Sequence, residues 1–373
     1  MKLADGAVYL DANATVPLRP EALGAMIAAE KDSFANPSAP YPAGKKARET
    51  LESARSSILS KLGLEGELVF TGSGTEANHL AILSAAESRP EKRVLMSSIE
   101  HPSCLELRDR LRKLGVATEE FGVDSSGAAD LACLNDLLEK TASLVVLMCA
   151  HNETGVIQPV EEALRICRGK GVLFHTDAVQ AFGKVPLPLS GEVPDTLSIA
   201  AHKIGGPKGI GALFFRKGTR LLPMLFGGGQ ERGLRASTEA VPLAAAFAAA
   251  ASAADLLSYG DTGKLRDMIE ERIAAVSPGT LFYGKNRARL PNTSFFSLQG
   301  ADGRDIQKRL AGERFYVGTG SACHGEGSEM PGVIVQMGWQ EASFPLRVSL
   351  PRETDPEEAE AFVEALARSI KVV

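Results

Sequence analysis

The chain has 373 residues, 44% of them hydrophobic and 23% charged, with 41 basic against 46 acidic side chains for a formal net charge of −5. That length is enough to bury a sizeable core and to form two domains, and so ordinary a composition excludes a disordered or fibrous chain. No run of like charges marks a nucleic-acid or membrane surface, so direct nucleic-acid binding is not expected.

Residues 1–11 are broken by charge too early to hold a secretory apolar region, which makes the cytoplasm the expected location. From about residue 67, apolar runs and helical patterns alternate. Strands are expected over 68–70, 93–97, 144–149, 172–175, 197–201 and 212–215, with helices from Thr75, from Ser103 and over 160–167. Apolar strands separated by helices predict an α/β fold, with a mostly parallel central sheet covered on both faces. Ligands of such sheets gather beyond the carboxyl ends of the strands. That is where Gly74 and Thr75, His101, Asn152, Asp177 and Lys203 fall.

An alanine-rich helix is expected over about 241–257. The uncharged stretch 240–254 within it is shorter than the roughly 20 apolar residues of a membrane span. A second, smaller α/β domain is expected from about 256, with strands over 293–298 and 346–350 and helices from Arg304 and Glu357. The last helix carries a start signal in Thr354, Asp355 and Pro356, followed by two glutamates. The division predicted is a large domain over 16–255 and a small domain made of 1–15 and 256–373.

Lys203 sits between an apolar run and a turn whose Gly205, Gly206 and Pro207 allow no helix to continue. At a strand end, desolvation disfavours an ammonium and leaves a nucleophilic amine, which Schiff-base chemistry requires. On this stretch alone a surface lysine beside a turn is the competing reading, and no Walker-type phosphate loop is present. Asp177 follows an apolar run, and a carboxylate there needs a partner to offset its desolvation. A helix cap or ion pair would serve, and so would a protonated pyridine nitrogen, the arrangement of pyridoxal phosphate enzymes.

The five cysteines contain no Cys-x-x-Cys pair, which argues against a disulfide framework and against a thiolate metal site. Cys104, Cys133, Cys149 and Cys167 have apolar neighbours and read as buried. Cys323 lies among small polar residues, Gly318-Thr-Gly-Ser-Ala-Cys-His-Gly-Glu-Gly327, where a thiol can be exposed and reactive.

Taken together and in order, these stretches resemble the cysteine desulfurases, the NifS-like and IscS-like members of the class V aminotransferases. The matching runs are Tyr9-Leu-Asp-Ala-Asn-Ala-Thr15, Asn36-Pro-Ser38, Phe70-Thr-Gly-Ser-Gly-Thr-Glu76, Glu100-His101, Asn152-Glu-Thr-Gly155 and His175-Thr-Asp-Ala-Val-Gln180. Further on come His202-Lys203, Gly227-Gly-Gly-Gln-Glu231 with Arg235, Leu290-Pro-Asn-Thr293, Gly320-Ser-Ala-Cys323 and Leu346-Arg-Val-Ser-Leu350. The resemblance implies a fold-type I transferase with pyridoxal 5'-phosphate on Lys203. By the same resemblance Gly74, Thr75 and His202 contact the phosphate, Asp177 faces the ring nitrogen, and His101 stacks on the ring and assists proton transfer. Asn152 and Gln180 face the phenolic oxygen or the substrate, Asn13 and Arg347 hold the substrate, and Cys323 accepts its sulfur. Thr238 reaches the phosphate of a second copy, implying a homodimer. The implied reaction takes L-cysteine to L-alanine and passes sulfur to an acceptor protein, such as an iron-sulfur scaffold or a thiolation enzyme. Selenocysteine lyase, cysteine sulfinate desulfinase, a transaminase and a low-activity scaffold remain alternatives. Three positions depart from the family pattern: Ala200 replaces a serine, Tyr41 a histidine and Ser237 a glycine.

Overall fold

The computed structural model describes residues 1–320 and 329–371, with the side chains of residues 257 and 258 left aside. The chain opens with β1 (Val8–Tyr9), α1 (Pro20–Asp32) and α2 (Pro42–Leu62), then β2 (Glu67–Thr71), α3 (Gly74–Ser88) and β3 (Arg93–Ser97). It continues with α4 (Pro102–Leu105), α5 (Arg108–Lys113), β4 (Ala117–Phe121), α6 (Leu131–Leu137), β5 (Leu144–Val146), α7 (Val160–Gly169), β6 (Leu173–Asp177), β7 (Thr196–Ala200) and β8 (Gly211–Phe215). Past α8 (Val241–Ala253) and α9 (Leu256–Val276) come β9 (Leu281–Phe282), β10 (Thr293–Ser297), α10 (Gly303–Gly312), β11 (Phe315–Tyr316), α11 (Gly332–Gln336), β12 (Leu346–Ser349) and α12 (Pro356–Lys371).

The strands β2-β8-β7-β6-β5-β3-β4 form one seven-stranded sheet. Neighbours from β7 through β4 pair in parallel, and β8 alone runs against both β2 and β7. The strands β2, β3, β5, β6 and β7 therefore all point the same way, and their carboxyl ends share one edge of the sheet. Every residue of β3, β5, β7 and β8 is buried, as the apolar runs require of strands covered on both faces. Helix α8, apolar nearly all round, lies buried against α1 and α2.

A second core gathers Ile269, Phe296, Leu346 and Phe362 with Val8 and Leu10 from the chain's beginning. Its sheet is the antiparallel set β12-β10-β9, and β1 pairs in parallel with β11. Between the cores runs the segment after β1: Ala12 N donates to Ser349 O, and Val16 N to His202 O.

Three expectations need correction. β4 was not foreseen, because an edge strand of sequence Ala-Thr-Glu-Glu-Phe is mostly exposed and lacks an apolar run. The strand expected over 144–149 ends as a regular strand at Val146, although Leu147 N and Cys149 N still donate to His175 O and Asp177 O of β6. The alanine-rich helix stops at Ala253, where Ala254 turns extended without a glycine or proline to announce it, and α9 begins at Leu256. The start signal of α12 is realised: Asp355 Oδ1 accepts from Glu357 N, and Glu358 Oε2 accepts from Asp355 N.

Candidate active site

A cleft of about 270 Å³ opens at the shared edge of strand ends. One wall is the N-terminus of α3. Ser73 caps that helix by accepting from Glu76 N at 3.1 Å, and Glu76 in return accepts from Gly72 N at 2.7 Å. The amides of Gly74 and Thr75 belong to the first turn, which has no acceptor within its own helix, and both residues line the cleft. Gly74 has to be small: a Cβ there would lie 2.9 Å from Val179 Cγ2 and 3.4 Å from Ala200 Cβ. First-turn amides with a helix dipole behind them form a cradle for an anion.

Asp177 ends β6 and is 6% exposed. Its Oδ1 accepts from Val179 N and its Oδ2 from Asn78 Nδ2, each at 2.8 Å. With that amide nitrogen donating, Asn78 Oδ1 is left as an acceptor, and it lies 3.1 Å from His175 Nε2. The proton of His175 is therefore on Nε2. Burial pushes the imidazole down to about 3, so the ring is neutral. Asn78 also donates to Ser103 Oγ at 2.9 Å, and that hydroxyl lies 2.8 Å from His101 Nδ1. Because Ser103 N donates to the same His101 Nδ1 at 3.0 Å, a neutral His101 keeps its proton on Nε2.

Lys203 closes the short 3-10 turn after β7 and lines the cleft. Its Nζ donates to the backbone carbonyls of Asn13 at 2.7 Å and Ala14 at 2.8 Å. His202 beside it faces Thr15 Oγ1 at 3.2 Å and is held down at about 4 by burial, then by Lys203, Lys208 and Lys184. On the far wall Arg347, 2% exposed, reaches Asp11 Oδ1 with Nη2 at 2.7 Å and Asn152 O with Nη1 at 3.2 Å. Among the described residues its Nε is buried without an acceptor.

This architecture and cleft have counterparts among known proteins. The model of the family "Aminotransferase class-V" matches residues 8–362. A cysteine desulfurase of Cereibacter sphaeroides is 40% identical, over 96% of this chain and 94% of its own. The chain belongs to the class V aminotransferases, among the cysteine desulfurases. In structure it is similar to a NifS-like protein at TM-score 0.89 and 31% identity, covering 98% of this chain and 100% of that one. It is also similar to a structure described as SspA in complex with cysteine, at TM-score 0.82 and 29% identity, covering 93% of this chain and 100% of that one.

Of the site residues expected in this class V chain, Asn13, Gly74, Thr75, His101, Asn152, Asp177, Gln180, His202, Lys203 and Arg347 line the one cleft, and Ala200 is in its wall. Asn13, however, spends its side chain inside the protein, donating to Thr293 Oγ1 and Asn152 O and accepting from Lys184 and Asn292. Thr238 is exposed ahead of α8 and does not line the cleft, and Tyr41 is at the exposed N-cap of α2. Cys323 lies outside the described residues. Cys104, Cys149 and Cys167 are buried, whereas Cys133 is only half-buried. Burial pushes the thiols of Cys149 and Cys167 up to about 12 and that of Cys104 well above its usual value, and none of the four lines the cleft. Sequence reasoning missed Asn78, Ser103 and Lys184. Asn78 carried a signal, being one turn beyond Gly74 on a helix that starts at the strand edge.

Proposed function

We propose that the chain is a pyridoxal 5'-phosphate-dependent cysteine desulfurase that converts L-cysteine to L-alanine. The observation that carries this reading is the convergence of Lys203, Asp177, Arg347 and the first-turn amides of α3 on one cleft. The donor set fits the cofactor: an anion cradle at one end, a buried carboxylate for a ring nitrogen, and a lysine amine. When bound, pyridoxal phosphate supplies a carbonyl for amine capture and a cationic ring that accepts electrons.

The residues divide the remaining work. Gly74 and Thr75, with His202 nearby, hold the phosphate. Asp177, fixed by Asn78 and Val179 N, would hold a proton on the ring nitrogen of the bound group. His101, with its proton on Nε2, would hold the ring, and Gln180 and Asn152 would serve the phenolic oxygen and the substrate. Arg347 takes the substrate carboxylate, and Lys203 Nζ is the base that moves the proton at the substrate's α-carbon. Cys323 supplies the thiolate that attacks the substrate sulfur. The carbon–sulfur bond breaks, a sulfur–sulfur bond forms, and the substrate carbon gains the proton released by the thiol. One cysteine and one enzyme thiol thus become one alanine and one persulfide, whose outer sulfur passes to an acceptor protein such as an iron-sulfur scaffold or a thiolation enzyme. A homodimer, in which Thr238 reaches the other copy's phosphate, and a cytoplasmic location complete the reading. No helix among the described residues is long and apolar enough to cross a membrane.

The test is to supply the purified chain with pyridoxal phosphate, L-cysteine and a thiol reductant, and to measure alanine and sulfide. Equal amounts of both are expected, and neither from Lys203→Ala. Borohydride reduction followed by peptide mapping should find the cofactor on Lys203, and attachment at Lys208 would overturn the reading.

A further inference from the structure

Lys184 is a buried lysine that the proposed chemistry does not use. It is 1% exposed and has no carboxylate partner among the described residues. Its Nζ donates instead to two side-chain amide oxygens, Gln180 Oε1 at 2.8 Å and Asn13 Oδ1 at 3.1 Å. Gln180 and Lys184 are four residues apart in the turns after β6, where Phe182 N bonds to Ala178 O and Val185 N to Ala181 O, and these turns bring the two side chains together. Gly183 between them has φ +74, and a Cβ there would lie 2.9 Å from Ile204 Cγ2, so the turn packs directly beneath the segment that carries Lys203.

An ammonium only donates, whereas a side-chain amide can be turned either way round. By engaging Gln180 Oε1, Lys184 commits Gln180 Nε2 to the opposite side, where it donates to Asn13 O at 2.9 Å; Gln180 and Asn13 both line the cleft. That same carbonyl accepts from Lys203 Nζ at 2.7 Å. We propose that Lys184 is a positioning residue, which fixes the amide of Gln180 with its nitrogen toward the cleft and anchors Asn13 as the acceptor for Lys203. Simple fastening of the N-terminal segment would not need a lysine amine in so costly a place. Burial, then Lys203 and Arg347, hold the Lys184 amine well below its usual value, and Lys184 in turn acts on His202. This inference rests on the reading of the cleft as a pyridoxal phosphate site.

The experiment titrates the visible absorbance of the cofactor-loaded protein with pH, without substrate. Lys184→Met keeps length and removes the donor. Its titration midpoint should rise by about one pH unit, because an amide nitrogen held toward the phenolic oxygen disfavours the protonated form at Lys203 and the variant no longer holds it there. Gln180→Ala should raise the midpoint similarly, and most of the Lys184→Met effect should vanish in that background. The KM for L-cysteine should rise in Lys184→Met. If Lys184→Met does not fold, Lys184→Gln, which retains a donor, should fold and show a smaller rise in midpoint. A wild-type midpoint and KM with only a lower Tm would overturn the proposal and leave a structural lysine. A shift that persists in full without Gln180 would overturn it too, by showing a direct charge effect. A wild-type protein that gains no visible band with pyridoxal phosphate would sink the underlying reading itself, which separates the two failures.

Discussion

Asn78 Nδ2 donates to Asp177 Oδ2 across 2.8 Å, while Asn78 Oδ1 lies 3.1 Å from His175 Nε2. One amide thereby fixes both the orientation of a buried carboxylate and the tautomer of a buried imidazole. Asn78→Ala would leave Asp177 Oδ2 short of a donor, and a hydrogen bond to a charged group is worth about 1.5–3 kcal/mol. Urea unfolding of the protein without cofactor should show a loss of that size. On the proposed reading, pyridoxal phosphate should also bind about tenfold or more weakly, since the carboxylate proposed for its ring nitrogen is no longer held. An Asn78→Ala protein with wild-type cofactor affinity would mean that Val179 N alone holds Asp177.

The strand edge that gathers the site was legible in the sequence because buried parallel strands are apolar throughout and their carboxyl ends are marked by polar residues and glycines. Asp177, Lys203 and the Gly74 turn are of that kind. Asn78, Ser103 and Lys184 were not legible, since each acts through a contact between elements far apart in sequence: Asn78 to Asp177, Ser103 to Asn78, Lys184 to Asn13. Nothing in the composition of a helix tells which of its polar residues will meet a strand end. The edge strand β4 and the break between α8 and α9 were hidden for a different reason, because an exposed strand needs no apolar run and Ala254 leaves the helix without a breaking residue.

Buried histidines give the protein an acid sensitivity of calculable sign. Burial pushes both His151 and His175 down to about 3, for His151 with Arg347 and His101 adding to the effect. Their folded values lie below the unfolded one of about 6.5, so the unfolded chain binds protons first as pH falls. The stability each contributes is complete above about pH 6.5 and is lost as pH falls toward 3. At pH 4.5 the loss is about 2–3 kcal/mol for each ring. Urea unfolding at pH 7 and 4.5 should show His175→Gln losing less stability over that interval than wild type by about this amount. The ring-proton resonances of both histidines should not titrate between pH 8 and 5.

Ser237 has φ +112, a conformation that glycine adopts without steric penalty and serine does not. Such a residue carries about 1–3 kcal/mol of strain, whereas glycine loses about 0.4–1 kcal/mol through its freer unfolded chain. Ser237→Gly should therefore stabilise the protein by about 1 kcal/mol in urea unfolding. The substitution is next to Thr238, so a simultaneous tightening of cofactor binding would tie this backbone to the phosphate of a second copy. Lower stability in Ser237→Gly would show that the serine makes up its strain elsewhere.

The choice between desulfuration and the other reactions available to this cleft rests on Cys323. Of the remaining cysteines, three are buried with thiols held well above their usual values, and none of the four lines the cleft. A thiol that must ionise and meet the substrate's sulfur is not among them. Cys323→Ser should bind pyridoxal phosphate with wild-type affinity and should still change its visible spectrum on adding L-cysteine, because Lys203, Asp177 and Arg347 are all in place for binding. Alanine and sulfide should fall by at least about a hundredfold, since serine's hydroxyl neither ionises at neutral pH nor attacks sulfur. Wild-type protein treated with one equivalent of L-cysteine should gain a single sulfur atom on the peptide containing Cys323, read by mass spectrometry without reductant. If Cys323→Ser forms alanine and sulfide at the wild-type rate, the sulfur leaves without an enzyme thiol, and the lyase and transaminase readings take precedence.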